Sequence, residues 1–183
     1  MANAGQGGAP PAAPQEGKTL LDLTEKIDKS ACYARNESSQ YPMTNLFIGD
    51  TRIGCKSDAD EQLIVHIAFQ ELVKVHSIKF TEYNMGSEPE SNPTVVKIFA
   101  NRCNLGFEDV DDVDPTQEFE LDVEDLRESS DPCLLKFVKF QRCNSITIYI
   151  EDNAGGDVSA LGGLKIFGYT VAATNMNDFK KQG

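Results

Sequence analysis

The chain has 183 residues, 25% of them charged, with 17 Lys and Arg set against 29 Asp and Glu for a formal net charge of -12. A body of that length forms one ordinary domain and buries roughly 70% of its unfolded surface. No apolar run approaches the ~20 residues that cross a bilayer, and the amino terminus lacks the basic start and apolar segment of a secretory signal. A soluble, intracellular protein is expected.

The acidity is local. Residues 105 to 131 hold twelve Asp or Glu against the single Arg127, a local charge of -11 that leaves -1 for the rest of the chain. Such a segment repels phosphates, which argues against nucleic acid and anionic membrane as partners and favours a basic protein surface. Read plainly, it is a solvated acidic loop. Five widely spaced cysteines, Cys32, Cys55, Cys103, Cys133 and Cys143, contain no C-x-x-C pair and read as reduced thiols.

In chain order, residues 1–17 are rich in Ala, Gly and Pro and form a disordered leader, too poor in apolar surface to offset the entropy of ordering. From Thr19, the spacing of Leu20, Leu23 and Ile27, with capping offsets at Thr19 and Asp22, predicts one short amphipathic helix ending near Ser30. Beyond it the period changes to two. Strands are predicted at Leu63 to Phe69, Val73 to Phe80, Val95 to Ala100, Phe119 to Leu121, Leu134 to Phe140, Ser145 to Glu151 and Leu164 to Val171. In Ser145 to Glu151 the even positions are all isoleucine and the odd positions are free to face water. Many short strands without alternating helices predict an all-β, antiparallel sandwich or barrel.

Candidate chemistry centres on Ser57-Asp58-Ala59-Asp60-Glu61, which leads into a strand carrying His66. Asp58, Asp60 or Glu61 would need to converge with Cys55, His66 or His76 to form a metal or general-base site. The same pattern suits a turn in which Asp side chains satisfy local amides, and that structural reading is preferred. His66 and His76 would meet across the sheet if a tight hairpin joined their strands. The run Glu108 to Asp114 lacks the glycine and terminal glutamate of a calcium-binding loop. Arg102 beside Cys103 and Arg142 beside Cys143 are weak hints of thiol activation. A sugar-binding sandwich would use aromatic faces; the chain has no Trp, leaving Tyr33, Tyr41, Tyr83, Tyr149 and Tyr169.

Several blocks, in consistent order from about residue 19 to 181, together resemble the PITH domain, the proteasome-interacting module of thioredoxin-like proteins. They are Asn36 to Ser38, Ser57 to Leu63, Val96 to Phe99, Asp114 to Gln117, Phe137 to Gln141, Asn144 to Ile148 and Ala173 to Lys180. The resemblance implies a jelly-roll β-sandwich of galactose-binding-like type over residues 18–173, followed by a tail at 174–183. It implies association with the regulatory particle of the 26S proteasome. In better-known members a thioredoxin domain with a catalytic C-x-x-C precedes this module; without that domain, disulfide reductase activity does not carry over. The expectation is a non-enzymatic interaction module with no cofactor, no bound metal and no catalytic residue. Thr174, Asn175, Met176, Asn177, Asp178 and Phe179 are its candidate contact element, since Met176 and Phe179 are apolar residues in a polar end segment. A ligand-binding, lectin-like sandwich is the alternative, and a cryptic metalloenzyme a third.

Overall fold

A computed structural model of the chain describes residues 19–171; the leader and the segment from Thr174 to Phe179 lie outside them. Within that span are ten strands: β1 (Leu21–Asp22), β2 (Tyr33–Arg35), β3 (Cys55–Lys56), β4 (Leu63–Thr81), β5 (Pro93–Ala100), β6 (Gln117–Glu120), β7 (Cys133–Leu134), β8 (Cys143–Asn153), β9 (Ala160–Leu161) and β10 (Gly163–Thr170). Every pairing among them is antiparallel.

The architecture turns on β4. Its first part pairs with β2 and β8, with Val65 opposite Ala34 on one side and Ile148 on the other. Its second part pairs with β10 and β7, with Ile78 opposite Ile166 and Cys133. One long strand therefore serves both layers of the sandwich, β2-β4-β8-β5-β6 and β1-β10-β4-β7. The crossover falls at the register break between Ala68 and Val73. The expected hairpin between Phe69 and Val73 is absent: Gln70-Glu71-Leu72 supplies no Gly, Pro, Asn or Asp, and the backbone stays extended.

Leu63, Val65 and Ile67 share one buried cluster with Ile146, Ile148, Ile150, Val75, Ile78, Phe80, Leu164 and Ile166. The three isoleucines of β8 thus face the core, as their alternation predicts. In β4 the core-facing positions switch from Val73 and Val75 to Ile78 and Phe80, because His76 is an extra residue opposite the Phe167/Gly168 step, a β-bulge.

The odd positions of β8 depart from expectation. Ser145, Thr147 and Tyr149 are also buried, since the segment after β5 covers this face. The expected amphipathic helix is replaced by β1 and two short 3-10 turns, Leu23–Lys26 and Lys29–Ala31. Asp22 and Asp28 each cap an amide two residues on, at Thr24 and Ser30, and so interrupt helical bonding, while Leu23 and Ile27 still reach the core. Leu134 to Phe140 is strand only at β7; Phe137–Phe140 forms a 3-10 turn that buries Phe140.

Candidate functional site

The acidic segment is not a free loop. Leu105 and Val110 are buried, and with half-buried Phe107 and Val113 they pack on Ile64, Phe99 and Tyr149, the outer face of the first layer. The spacing of Leu105, Phe107, Val110 and Val113 was the available sequence signal, masked by the carboxylates between them. Asp109 shapes the turn: its carboxylate accepts from the Gly106 amide at 2.9 Å, while the Asp109 carbonyl accepts from Val113 N at 3.0 Å. Burial, and then the Asp111 charge, pushes the Tyr149 phenol up to about 12.

The other half of the segment is held by Lys79, a buried lysine of β4. Its ammonium donates to the carbonyls of Arg127 (2.7 Å), Asp125 (2.9 Å) and Phe80 (3.1 Å) and to Ser130 Oγ (2.8 Å). Desolvation lowers its pKa, opposed by the nearby Cys133, Asp125, Glu82 and Asp131. Asp122 and Asp125 close a reciprocal capping box, and Leu126 is fully buried. Of the twelve acidic residues only Asp109 and Asp125 are partly covered; the other ten are exposed on anchored backbone. The result is a negative surface of fixed shape along the edge strand β6, where Glu118 and Glu120 point outward.

In the Ser57–Glu61 stretch the Asp60 carboxylate serves the turn itself, accepting from the Asn36 side chain and from Gln62 N. Asn36, at φ 69°, donates to Asp60 Oδ1 (3.0 Å) and the Gln62 carbonyl (2.7 Å) and accepts from Ala59 N (3.0 Å), which closes the Ser57–Glu61 turn. His66 and His76 lie on one extended strand ten residues apart, roughly 33 Å at strand rise, so they cannot share a ligand. His66 stacks on Tyr33 with centroids 4.7 Å apart, and its Nδ1 lies 2.9 Å from Thr147 Oγ1. Since that hydroxyl donates to the Arg102 carbonyl at 2.8 Å, Nδ1 is the protonated nitrogen. Burial first, and Arg35 second, lower the His66 pKa. Among the described residues no three His, Cys, Asp or Glu side chains gather as a metal-ligand set.

The cysteines are all free. Burial drives Cys143 and Cys55 up to about 12, so Arg142 does not activate its neighbour. The tyrosines expected as sugar platforms are engaged elsewhere: Tyr149 and Tyr169 are buried, Tyr33 stacks on His66, and Tyr41 and Tyr83 meet edge to face with Lys56 Nζ within 4.5 Å of both rings.

The two-layer antiparallel sandwich has the fold of the galactose-binding-like β-sandwich class. Solved structures of that fold superpose on it. The family 32 carbohydrate-binding module of Clostridium perfringens NanJ, in complex with galactose, gives a TM-score of 0.60 at 14% identity over 81% of this chain and 99% of that one. The C-terminal domain of a Bacteroides fragilis chitobiase gives 0.58 at 19% identity over 83% and 99%. Within this class the chain belongs to the PITH domain family, whose sequence profile matches residues 13–183. Thioredoxin-like protein 1 of Schizosaccharomyces pombe is 32% identical over 166 residues, 90% of this chain and 57% of the relative. PITH domain-containing protein 1 of Dictyostelium discoideum is 28% identical over 82% of this chain and 74% of its own, and that of Homo sapiens 30% identical over 57% and 46%. The chain spans about half the length of most of these relatives.

Proposed function

We propose that this domain is a non-catalytic docking module, monomeric and cytoplasmic or nuclear, that associates with the regulatory particle of the 26S proteasome. The observation that carries a docking role is the anchored acidic face: ten exposed carboxylates on backbone fixed by Val110, Leu126 and Lys79 present charge whose ordering has been completed before a partner arrives. A partner with a basic patch is steered to such a surface and registered on it. The named particle rests on the family membership shared with a thioredoxin-like protein. The segment Thr174 to Phe179 supplies an apolar contact through Met176 and Phe179.

Affinity purification of 26S particles with the full chain, with residues 174–183 deleted, and with Glu118→Lys/Glu120→Lys/Glu124→Lys tests both elements. Retention that falls in both variants and with rising salt supports the reading. Particles recovered no better than with an unrelated sandwich domain defeat it.

A second reading, a ligand-binding sandwich, is favoured by one observation in this chain: an open polar cleft between β2 and the turn at 104–109, about 540 Å³ in volume. That size lies within the range of small-molecule sites.

A further inference from the structure

The cleft beside β2 carries polar groups whose hydrogen-bonding capacity the fold leaves partly unused. Arg35 is fixed in orientation, its Nε donating to the Leu105 carbonyl at 3.0 Å and its guanidinium lying 5.3 Å from the centre of the Tyr33 ring. Its two terminal amino groups have no hydrogen-bond or ion-pair partner among the described residues. Glu108, which also lines the cleft, folds back over Gly106, where a Cβ would stand 3.0 Å from its Oε1. Its carboxylate likewise has no partner among the described residues. Arg35 and Glu108 line the same cleft yet stay farther apart than the 4.0 Å of an ion pair. Asn104, held at φ 61° with its amide donating to Tyr33 Oη at 2.7 Å, spends its side chain only on a 3.8 Å contact to Cys103 Sγ. Phe107 adds a half-buried ring to the lining. By contrast Asn36 and Asp109, also on the cleft wall, are fully employed in their own turns.

Separated donors and acceptors around an aromatic ring set conditions on an occupant. An anion is repelled by the -11 carried by residues 105 to 131. A cation meets the Arg35 guanidinium. A neutral molecule bearing neighbouring hydroxyls answers both the donors and the acceptors, since each hydroxyl both accepts and donates.

We propose that this cleft binds a neutral polyhydroxylated ring of the hexose class, an inference that rests on the ligand-binding reading above and gives it a location. Hydroxyl oxygens accept from Arg35 and the Asn104 side-chain Nδ2, a hydroxyl donates to the Glu108 carboxylate, and the C–H face of the ring lies on Phe107. An open cleft with few polar groups gives affinity in the millimolar range.

The test is an amide-resolved NMR titration of the full chain with D-galactose, D-glucose and D-mannose, repeated on Glu108→Gln and Arg35→Lys. Glu108 is exposed, so its variant keeps the fold, and the unperturbed remainder of its spectrum verifies this. Saturable shifts confined to Arg35 and residues 104–109, weakened by about tenfold in Glu108→Gln, support the proposal. Saturable binding that maps elsewhere, or that Glu108→Gln leaves unchanged, overturns this site while the ligand-binding reading survives. No saturable shift with any of the three sugars defeats site and reading together.

Discussion

His66 of β4 and Tyr33 of β2 stand opposite each other in the ladder and stack with ring planes 15° apart. The pair ties the first layer to the segment after β5, because Thr147 links the imidazole to the Arg102 carbonyl and Tyr33 receives the Asn104 amide.

Protonation of His66 is opposed by burial and by Arg35, so its pKa lies below the ordinary 6.5 in the folded protein. The unfolded chain therefore takes up this proton first as pH falls. The stabilising contribution is complete above about 6.5, and it declines below that value until the folded form also protonates. Chemical denaturation of the wild type and of His66→Gln across pH 7.5 to 5 checks this. The wild type should lose more stability over that window than the variant, and equal losses would refute the assignment.

Lys79→Met removes the donor shared by the Asp125 and Arg127 carbonyls and Ser130 while keeping the aliphatic stem. The Ser130 hydroxyl can still donate to one of the two carbonyls, at 2.7 Å to Arg127 or 3.0 Å to Asp125, so the other loses its donor, at a cost of about 1–3 kcal/mol. Urea denaturation should show that loss, and hydrogen exchange should quicken first at residues 125–130.

Val110 and Ile148 are both buried, yet they belong to different clusters. Val110→Ala should cost roughly 1–2 kcal/mol and free the amides of 105–113 locally. Ile148→Ala, at the centre of the sandwich, should cost about 2–5 kcal/mol and raise exchange across all strands together. Exchange mapped residue by residue separates the two outcomes; uniform acceleration in both variants would argue that the acidic segment has no independent anchor.

A Cβ at Gly168 would overlap the Lys74 carbonyl of the paired strand and lie 3.0 Å from Leu23 Cδ1. Gly168→Ala should therefore shift the β10–β4 bulge and cost roughly 1–3 kcal/mol or more. The denaturation midpoint measures it. Gly155→Ala, at φ 110° with open space around the site, strains only its own turn and should cost less.

Much of the sandwich is legible along the chain because period-two alternation is a local property. Ile146, Ile148 and Ile150 announce their face whatever lies beyond them. Turn chemistry is local too, and Ser57 to Glu61 follows it, with Asn36 as the distant partner that the sequence does not name. The helix expected at Thr19 to Ser30 fails where two rules compete: helical spacing of Leu20, Leu23 and Ile27 against Asp22 and Asp28, whose side chains capture the amides.

The sequence by itself determined the all-β character, the core-facing isoleucines of β8, the concentration of charge between residues 105 and 131, and the family. Tertiary structure alone decided that β4 passes from one layer to the other, that Val110 and Lys79 fasten the acidic segment, and that Arg35 and Glu108 face one cleft without pairing. The reason is range. Alternation and turn propensity act between neighbours a few residues apart, whereas Lys79 reaches a carbonyl 48 positions along the chain and Arg35 one 70 positions along, contacts that exist only after the layers have closed.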